Sequence, residues 1–286
     1  MVLFGPSGVE QQHSAEGINI LKVPEFIKEQ GLDAFEYSFG HGFNMSIKTA
    51  LLAGLQFKQH NIKLSLHAPF YINFANPDEV MYQKSVGYLM TGIKFLRAFD
   101  TDKLVFHAAS CGKAERQDAF NLTFERFKET FDKMEEEKLL EGLYLCPETM
   151  GKTMQIGTYK EVIDLCTVNS HLVPTFDFGH INSIMQGALK TEEDYKRIFD
   201  YSIEKLGFER TSNCHIHFSK IQYGDKGEIK HLNYTEDNVY GPIFDPLARV
   251  LLDYNLSPRV ITESMSHMVS DAILLKNIYL ENKKLK

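Results

Sequence analysis

The fold class that this 286-residue sequence predicts is α/β, a (β/α)8 TIM barrel forming a single domain over residues 1–286, and three observations predict it. Short apolar runs rich in β-branched and aromatic residues recur eight times. Segments with helical spacing of apolar residues lie between them. No Pro/Gly/Ser linker, low-complexity stretch or internal repeat divides the chain. Alternation of near-continuous apolar strands with helices describes a parallel sheet covered by helices. Eight such units in this length fit a closed barrel, with a doubly wound open sheet as the alternative.

The strands are read, in order, in VLFGPSG (2–8), AFEYSF (34–39), KLSLHAPF (63–70), KLVFHAAS (103–110), LYLCPETM (143–150), VPTFDFGH (173–180), NCHIHFS (213–219) and RVITES (259–264). Each is short and rich in Val, Ile, Leu, Phe and Tyr, as strands are. The intervening GINILKVPEFIKEQG (17–31) is amphipathic and stops at Gly31. MSIKTALLAGLQFKQHN (45–61) repeats apolar residues at i, i+3 and i+4, and AFNLTFERFKETFDKMEEEKLLEG (119–142) is charged on one side and ends at Gly142. TYKEVIDLCTVN (158–169) and EEDYKRIFDYSIEKLG (192–207) follow the same rule. The last helix, HMVSDAILLKNIYLENKKL (267–285), puts Lys in its final turn, where the helix dipole favours cations.

Composition narrows the function classes. Hydrophobic residues make up 43% and charged residues 24%, the balance of a soluble chain with a large core. No stretch approaches the roughly 20 apolar residues of a membrane span, and MVLFGPSGVE does not read as a signal peptide. Cys111, Cys146, Cys166 and Cys214 are scattered without a CxxC pair and read as reduced thiols of a cytoplasmic protein. A net charge of −7, from 38 acidic and 31 basic residues, weakens the case for an extended nucleic-acid surface but allows a local basic strip. No obligate protein partner is evident.

The strand ends carry a second pattern. Glu36, His67, His107, Glu148, Asp177 with His180, His215 with His217, and Glu263 close the second to eighth strands. In a barrel these ends converge on one rim, where active sites are built. A single histidine on an apolar strand is ordinarily a hydrogen-bonded core residue, and a single strand-end glutamate ordinarily an ion-pair partner. A whole ring of them is different: buried carboxylates are costly unless paired or metal-bound, and a cluster repels itself. Imidazole with carboxylate suits Zn²⁺, Mn²⁺ or Fe²⁺, and the absence of cysteine from the rim argues against a structural thiolate site. So many ligands can serve two or three ions, and multi-ion sites typically handle phosphate esters. His13, His41, His60, His171 and His267 are read as ordinary surface or loop residues.

Taken together, LHAPFYIN (66–73), VFHAAS (105–110), PETMGK (147–152), TFDFGHIN (175–182), HIHFSK (215–220) and TES (262–264) resemble, in order and over nearly the whole chain, the endonuclease IV family. A broader relative is the xylose-isomerase-like TIM barrel superfamily. The resemblance implies a zinc-dependent apurinic/apyrimidinic endonuclease that hydrolyses the phosphodiester 5′ to abasic sites in damaged DNA. His67 and His107 would hold one zinc, and Glu148 would bridge it to a second that also takes Asp177, His215 and Glu263. His180 and His231 would hold a third. Glu148 and Glu263 are the implied catalytic residues. His217 would hydrogen-bond a ligand carboxylate, with exchange of roles with His215 as the alternative. Phe70 and Tyr71 are candidate substrate-binding side chains that could wedge into a base stack, set against simple packing on the neighbouring loop.

Three departures stand out. The family completes its third zinc with Asp-x-His, but the place before His231 holds Ile229, and Glu228 is the candidate substitute. The loop FGHGFNMS (39–46) brings no Arg or Lys where the family has basic DNA contacts. Gly179 stands where the family usually has Cys. The expected cofactor is therefore two or three Zn²⁺ ions, with Mn²⁺ as an option. The rival function is a sugar or sugar-phosphate isomerase or epimerase, with one Mn²⁺ or Co²⁺ among Glu148, Asp177, His215 and Glu263. A barrel that only binds a phosphorylated ligand is the non-enzymatic alternative.

Overall fold

A computed structural model describes residues 1–10, 17–236 and 239–286. His13 lies outside the described residues. Eight parallel strands form the frame: β1 (Leu3–Pro6), β2 (Ala34–Ser38), β3 (Lys63–His67), β4 (Lys103–Phe106), β5 (Tyr144–Pro147), β6 (Thr175–Asp177), β7 (His215–Phe218) and β8 (Arg259–Thr262). They are shorter than the apolar runs suggest, because the final residues of each run already belong to rim loops. The largest difference is at β6, where a strand is expected to run through His180. It stops instead at Asp177, whose Oδ1 accepts the His180 backbone N–H at 2.7 Å and so caps the helix Phe178–Ile184.

Neighbouring strands follow chain order. Ladders join β2 to β3, β3 to β4 and β4 to β5, and join β6 to β7, β7 to β8 and β8 back to β1. Two seams complete the ring. Asp33 donates its N–H to the Phe4 carbonyl at 2.9 Å, and Val173 and Thr149 donate to Leu145 and Thr175 at 3.2 and 3.0 Å. The sheet is closed, and no strand order reverses as in an open doubly wound sheet. At the first seam a Cβ on Gly5 would lie 1.8 Å from the Ala34 carbonyl oxygen, so only glycine permits this approach.

Helices cover the outside, among them α1 (Val23–Glu29), α2 (Ile47–Gln59), α3 (Glu79–Phe99), α4 (Arg116–Glu136) and α5 (Tyr159–Cys166); α6 (Phe178–Ile184) is buried at the rim, and α7 (Glu192–Leu206), α8 (Phe208–Ser212), α9 (Phe244–Asp253) and α10 (Met268–Lys284) follow. Starts coincide with caps: Ser46 and Asp78 accept backbone N–H groups of α2 and α3, and Thr158 with Glu161 forms a capping box on α5. The apolar face of α3 is interrupted by buried Tyr82, Ser85 and Gly92, which blurs its periodicity along the chain. Gly92 lets it sit directly on Leu104 of β4. Large aromatics, including Phe74, Phe106, Phe127, Phe131, Phe176 and Phe199, fill the layer between sheet and helices.

The bottom of the barrel is plugged by charge. Arg259 donates to the Leu64 carbonyl at 2.6 Å and to Asp102 at 3.0 Å, and buried Lys103 donates to the Asn213 carbonyl at 2.5 Å. The opposite rim carries two antiparallel additions. One pairs Ala109–Ser110 with Gln155–Ile156, and the other is a hairpin of Lys220–Gly224 and Gly227–Leu232. The hairpin leans on the loop after β5: Glu228 donates its N–H to the Gly151 carbonyl at 2.7 Å.

Candidate metal centre

The side chains at the C-terminal ends of the strands meet around Glu148. His67 Nε2 and His107 Nε2 each lie 3.1 Å from its Oε2. His217 Nδ1 lies 2.9 Å from its Oε1 and 3.4 Å from Glu263 Oε2. Asp177 Oδ2 is 3.4 Å from His180 Nδ1, and His180 Nε2 is 3.5 Å from Glu228 Oε2, while His231 Nε2 is 3.7 Å from Glu228 Oε1. Among the described residues, four groups bring ligand-type atoms within 4.8 Å of one another: His67, His107 and Glu148; Glu148, Asp177, His217 and Glu263; His180, Glu228 and His231; and Glu36, His215 and His217.

His215 and His217 exchange the places expected of them. Both face inward, as alternation on a strand requires, but the register of β6 against β7 sets His217 beside Asp177 and His215 beside Thr175. His215 is therefore one interior layer too deep to reach the rim. It meets Glu36 of β2 instead, with Nε2 2.9 Å from Oε2, and His217 takes the position beside Glu148 and Glu263. Glu36 had no assigned role from sequence beyond its strand-end position, since contact across the barrel is invisible along the chain.

Glu228 enters by a bulge. The hairpin pairs Gln222 with Lys230 but Tyr223 with Glu228, so Ile229 is an extra residue in the second strand. In a regular strand residues three apart point to opposite faces. The extra residue returns Glu228 and His231 to one side and leaves Ile229 59% exposed. A Cβ on Gly151 would fall 2.7 Å from the His180 ring and 2.8 Å from Glu228 Cβ, so glycine makes room for this group. At Gly179 an added Cβ would lie 2.7 Å from the Ser219 carbonyl oxygen, a packing reason for the missing side chain.

The charges are mutually held. Burial opposes ionisation of Glu148 and Glu36, yet the imidazoles around them, His217 foremost, keep both well below the usual carboxylate range. Glu263, also opposed by burial, is drawn down to about 2 by His217. Burial disfavours charge on His67 and His180, but Glu148 beside the first and Asp177 beside the second lift each to about 9. Burial raises Asp177 and lowers His215 to about 4.

These residues fit divalent cations. Asp177 Oδ2, in the group with Glu148, His217 and Glu263, is buried without a hydrogen-bond partner, and below it Glu36 faces His215 and His217 at 2.9 Å without hydrogen-bond alignment. Orphaned atoms of this kind are rare in native interiors unless an ion or water serves them. The donor set is nitrogen and oxygen only, and the free cysteines are all buried elsewhere.

Above the groups opens a cavity of about 300 Å³, lined in part by Ser38, Phe70, Lys152 and Gln155. Phe70 and Tyr71 are each 47% exposed, with ring centroids 4.5 Å apart. They also touch neighbours, His41 edge-on to Phe70 at 5.0 Å and Tyr88 against Tyr71 at 5.9 Å. A larger hollow of about 430 Å³ lies at the other end of the barrel between Lys58, Arg97 and Asp100. It gathers no set of ligand atoms, and Lys58 and Asp100 pair there at 2.9 Å, so the chemistry belongs to the smaller cavity.

Comparison with known proteins agrees with this geometry. The family description "xylose isomerase-like TIM barrel" matches residues 24–267. An uncharacterized protein of Methanocaldococcus jannaschii is 30% identical over 281 residues, 98% of each chain. The protein named "Probable endonuclease 4" of Ureaplasma urealyticum is 23% identical over 247 residues, 81% of this chain and 75% of its own. The structure of a 3-keto-D-glucoside 4-epimerase from E. coli superposes with a TM-score of 0.67 at 13% identity, covering 99% of this chain and 100% of that one, and attests the fold alone.

Proposed function

The chain belongs to the xylose isomerase-like TIM barrel family, and from that premise we propose that it is a metal-dependent phosphodiesterase of the endonuclease IV type, hydrolysing the phosphodiester 5′ to abasic sites in DNA. One observation carries the reading: three ion-capable groups adjoin on a single cavity, two of them sharing Glu148. An isomerase working with one ion needs only the group of Glu148, Asp177, His217 and Glu263. The histidines His67, His107, His180 and His231 are surplus to that chemistry and suit a multinuclear centre.

Two or three Zn²⁺ ions, or Mn²⁺, bound in these groups would supply Lewis acidity toward a phosphoryl oxygen and a water acidic enough to attack at neutral pH. The chain's own residues do the rest. Glu148 offers one oxygen to His67 and His107 and the other to His217, which ties two groups into one frame. Glu263, anionic at neutral pH and partly open to the cavity, is the candidate to orient a nucleophilic water. His180, His231 and Glu228 stand on the hairpin side, where a leaving oxygen would be neutralised. Phe70 lines the cavity and, with the exposed Tyr71 beside it, is the candidate to meet a base. Four buried thiols suit a reducing, cytoplasmic setting, and the reading calls for no protein partner.

The rival epimerase reading draws support from the net charge of −7 and from rim loops 39–46 and 68–78, which hold no Arg or Lys. The deciding experiment loads the metal-stripped protein with zinc, counts ions per chain and assays an abasic-site duplex beside a panel of ketoses. The expected outcome is two or three zincs and a nick 5′ to the lesion. Glu148→Gln should lose at least about a hundredfold in rate while keeping its circular dichroism spectrum. One Mn²⁺ per chain with ketose epimerisation and no nicking would reverse the assignment.

A further inference from the structure

Glu36 is a carboxylate with no exposure at all, set inside the barrel one layer beneath the rim. Such a group stays ionised only beside compensating N–H donors or cations. Its near neighbours of that kind are two imidazoles: His217 Nε2 at 2.9 Å from Oε1 and His215 Nε2 at 2.9 Å from Oε2. The other nitrogen of His217, Nδ1, faces Glu148 at 2.9 Å and Glu263 at 3.4 Å. One ring thus spans the gap between a buried carboxylate below and the ligand group above.

We propose that Glu36 is a positioning residue for the metal centre: its carboxylate stands 2.9 Å from Nε2 of His217, out of hydrogen-bond alignment when no ion is bound, and would accept that N–H once an ion draws Nδ1 into the group of Glu148, Asp177 and Glu263. A metal-bound imidazole whose second nitrogen donates to a carboxylate is fixed in tautomer and ring orientation and becomes a better donor to the ion. His215 is the second arm of the clamp. Standing 2.9 Å from Oε2, it limits how far the Glu36 carboxylate can turn away. It follows why the deeper histidine of the pair is present although it reaches no ligand group at the rim: it holds the residue that holds the ligand.

The inference rests on the metal reading above, and the test separates the two. Wild type, Glu36→Gln and Glu36→Asp are stripped and titrated with zinc at buffered free concentrations, and bound metal is counted by mass spectrometry. The ¹⁵N resonances of His217 report its tautomer in the loaded proteins. Glu36→Gln should bind the ion of the Glu148, Asp177, His217 and Glu263 group about 10–100-fold more weakly, with the His67, His107 and Glu148 ion retained. The Nε2-protonated tautomer of His217 should give way to a mixture, and Glu36→Asp, which keeps the charge, should recover part of the affinity. A Glu36→Gln protein with wild-type zinc affinity and an unchanged His217 tautomer overturns the proposal and leaves the metal reading standing. So does an anomalous-scattering peak between Glu36, His215 and His217, since the three would then be ligands themselves. A wild-type protein that takes up no ion overturns the metal reading, and this inference with it. Should the Gln variant fail to fold, the Asp variant carries the comparison alone: wild-type affinity at the shorter, displaced carboxylate counts against a clamp.

Discussion

His67 and His180 sit among carboxylates and hold their protons up to about pH 9 in the ion-free protein, well above the ordinary histidine value of 6.5. A metal ligand must be neutral imidazole, so an arriving ion has to expel those protons. Below about pH 9 the protonated form competes with the ion, and affinity falls as the solution becomes more acidic. Calorimetric titration with zinc at pH 7.5, repeated in buffers of different ionisation enthalpy, should therefore register net proton release. Apparent affinity should climb from pH 6.5 toward pH 9. Binding that is flat over that window would show that these imidazoles do not ligate. His215, held near 4 by burial, is already neutral and contributes no proton to that count.

The hairpin after β7 shows what a backbone irregularity can conceal. Glu228 and His231 share a face only because Ile229 is extruded between them, and no feature of GEIKH announces a bulge. Glu228→Gln should cost one bound ion and leave the remaining ions and the melting temperature near wild type. Metal analysis on the purified variant checks this, and an unchanged ion count would remove Glu228 from the ligand set. Other elements were more readable. The identity of His67, His107, Glu148, Asp177 and Glu263 as strand-end residues follows from counting apolar runs, because a parallel barrel delivers every strand end to the same rim. The choice between His215 and His217 did not follow, because it depends on the register of β6 against β7, a property of two strands nearly forty residues apart. The strand boundary at Asp177 is hidden along the chain for a related reason: bulky apolar side chains continue past it at Phe178 and Ile181, and only the Asp177 cap marks the change.

Across the whole molecule the charge is distributed against a polyanion. The chain carries −7, and the loops that follow β2 and β3 lack Lys and Arg, while Lys152, Lys226 and Lys230 gather on the hairpin side. Few phosphates can be neutralised at once, so any binding to an abasic duplex should depend weakly on salt. Affinity should drop by less than about a hundredfold between 50 and 200 mM salt, against the roughly 10³–10⁵-fold loss typical of six to ten phosphate contacts. Fluorescence anisotropy across that range measures the slope. A steep slope would point to a basic surface that the described rim does not provide.

Glu148 answers to two neighbourhoods, with one oxygen turned to His67 and His107 and the other to His217. The arrangement nests a complete mononuclear pocket inside a larger cluster. Erasing the outer pair of imidazoles would leave the inner four-residue set intact, whereas erasing Glu148 dismantles both. Two substitutions at the margin would thus remove one ion group while the inner set and the hairpin group of His180, Glu228 and His231 persist. The ion number of such a centre can be trimmed from its edge without rebuilding its floor.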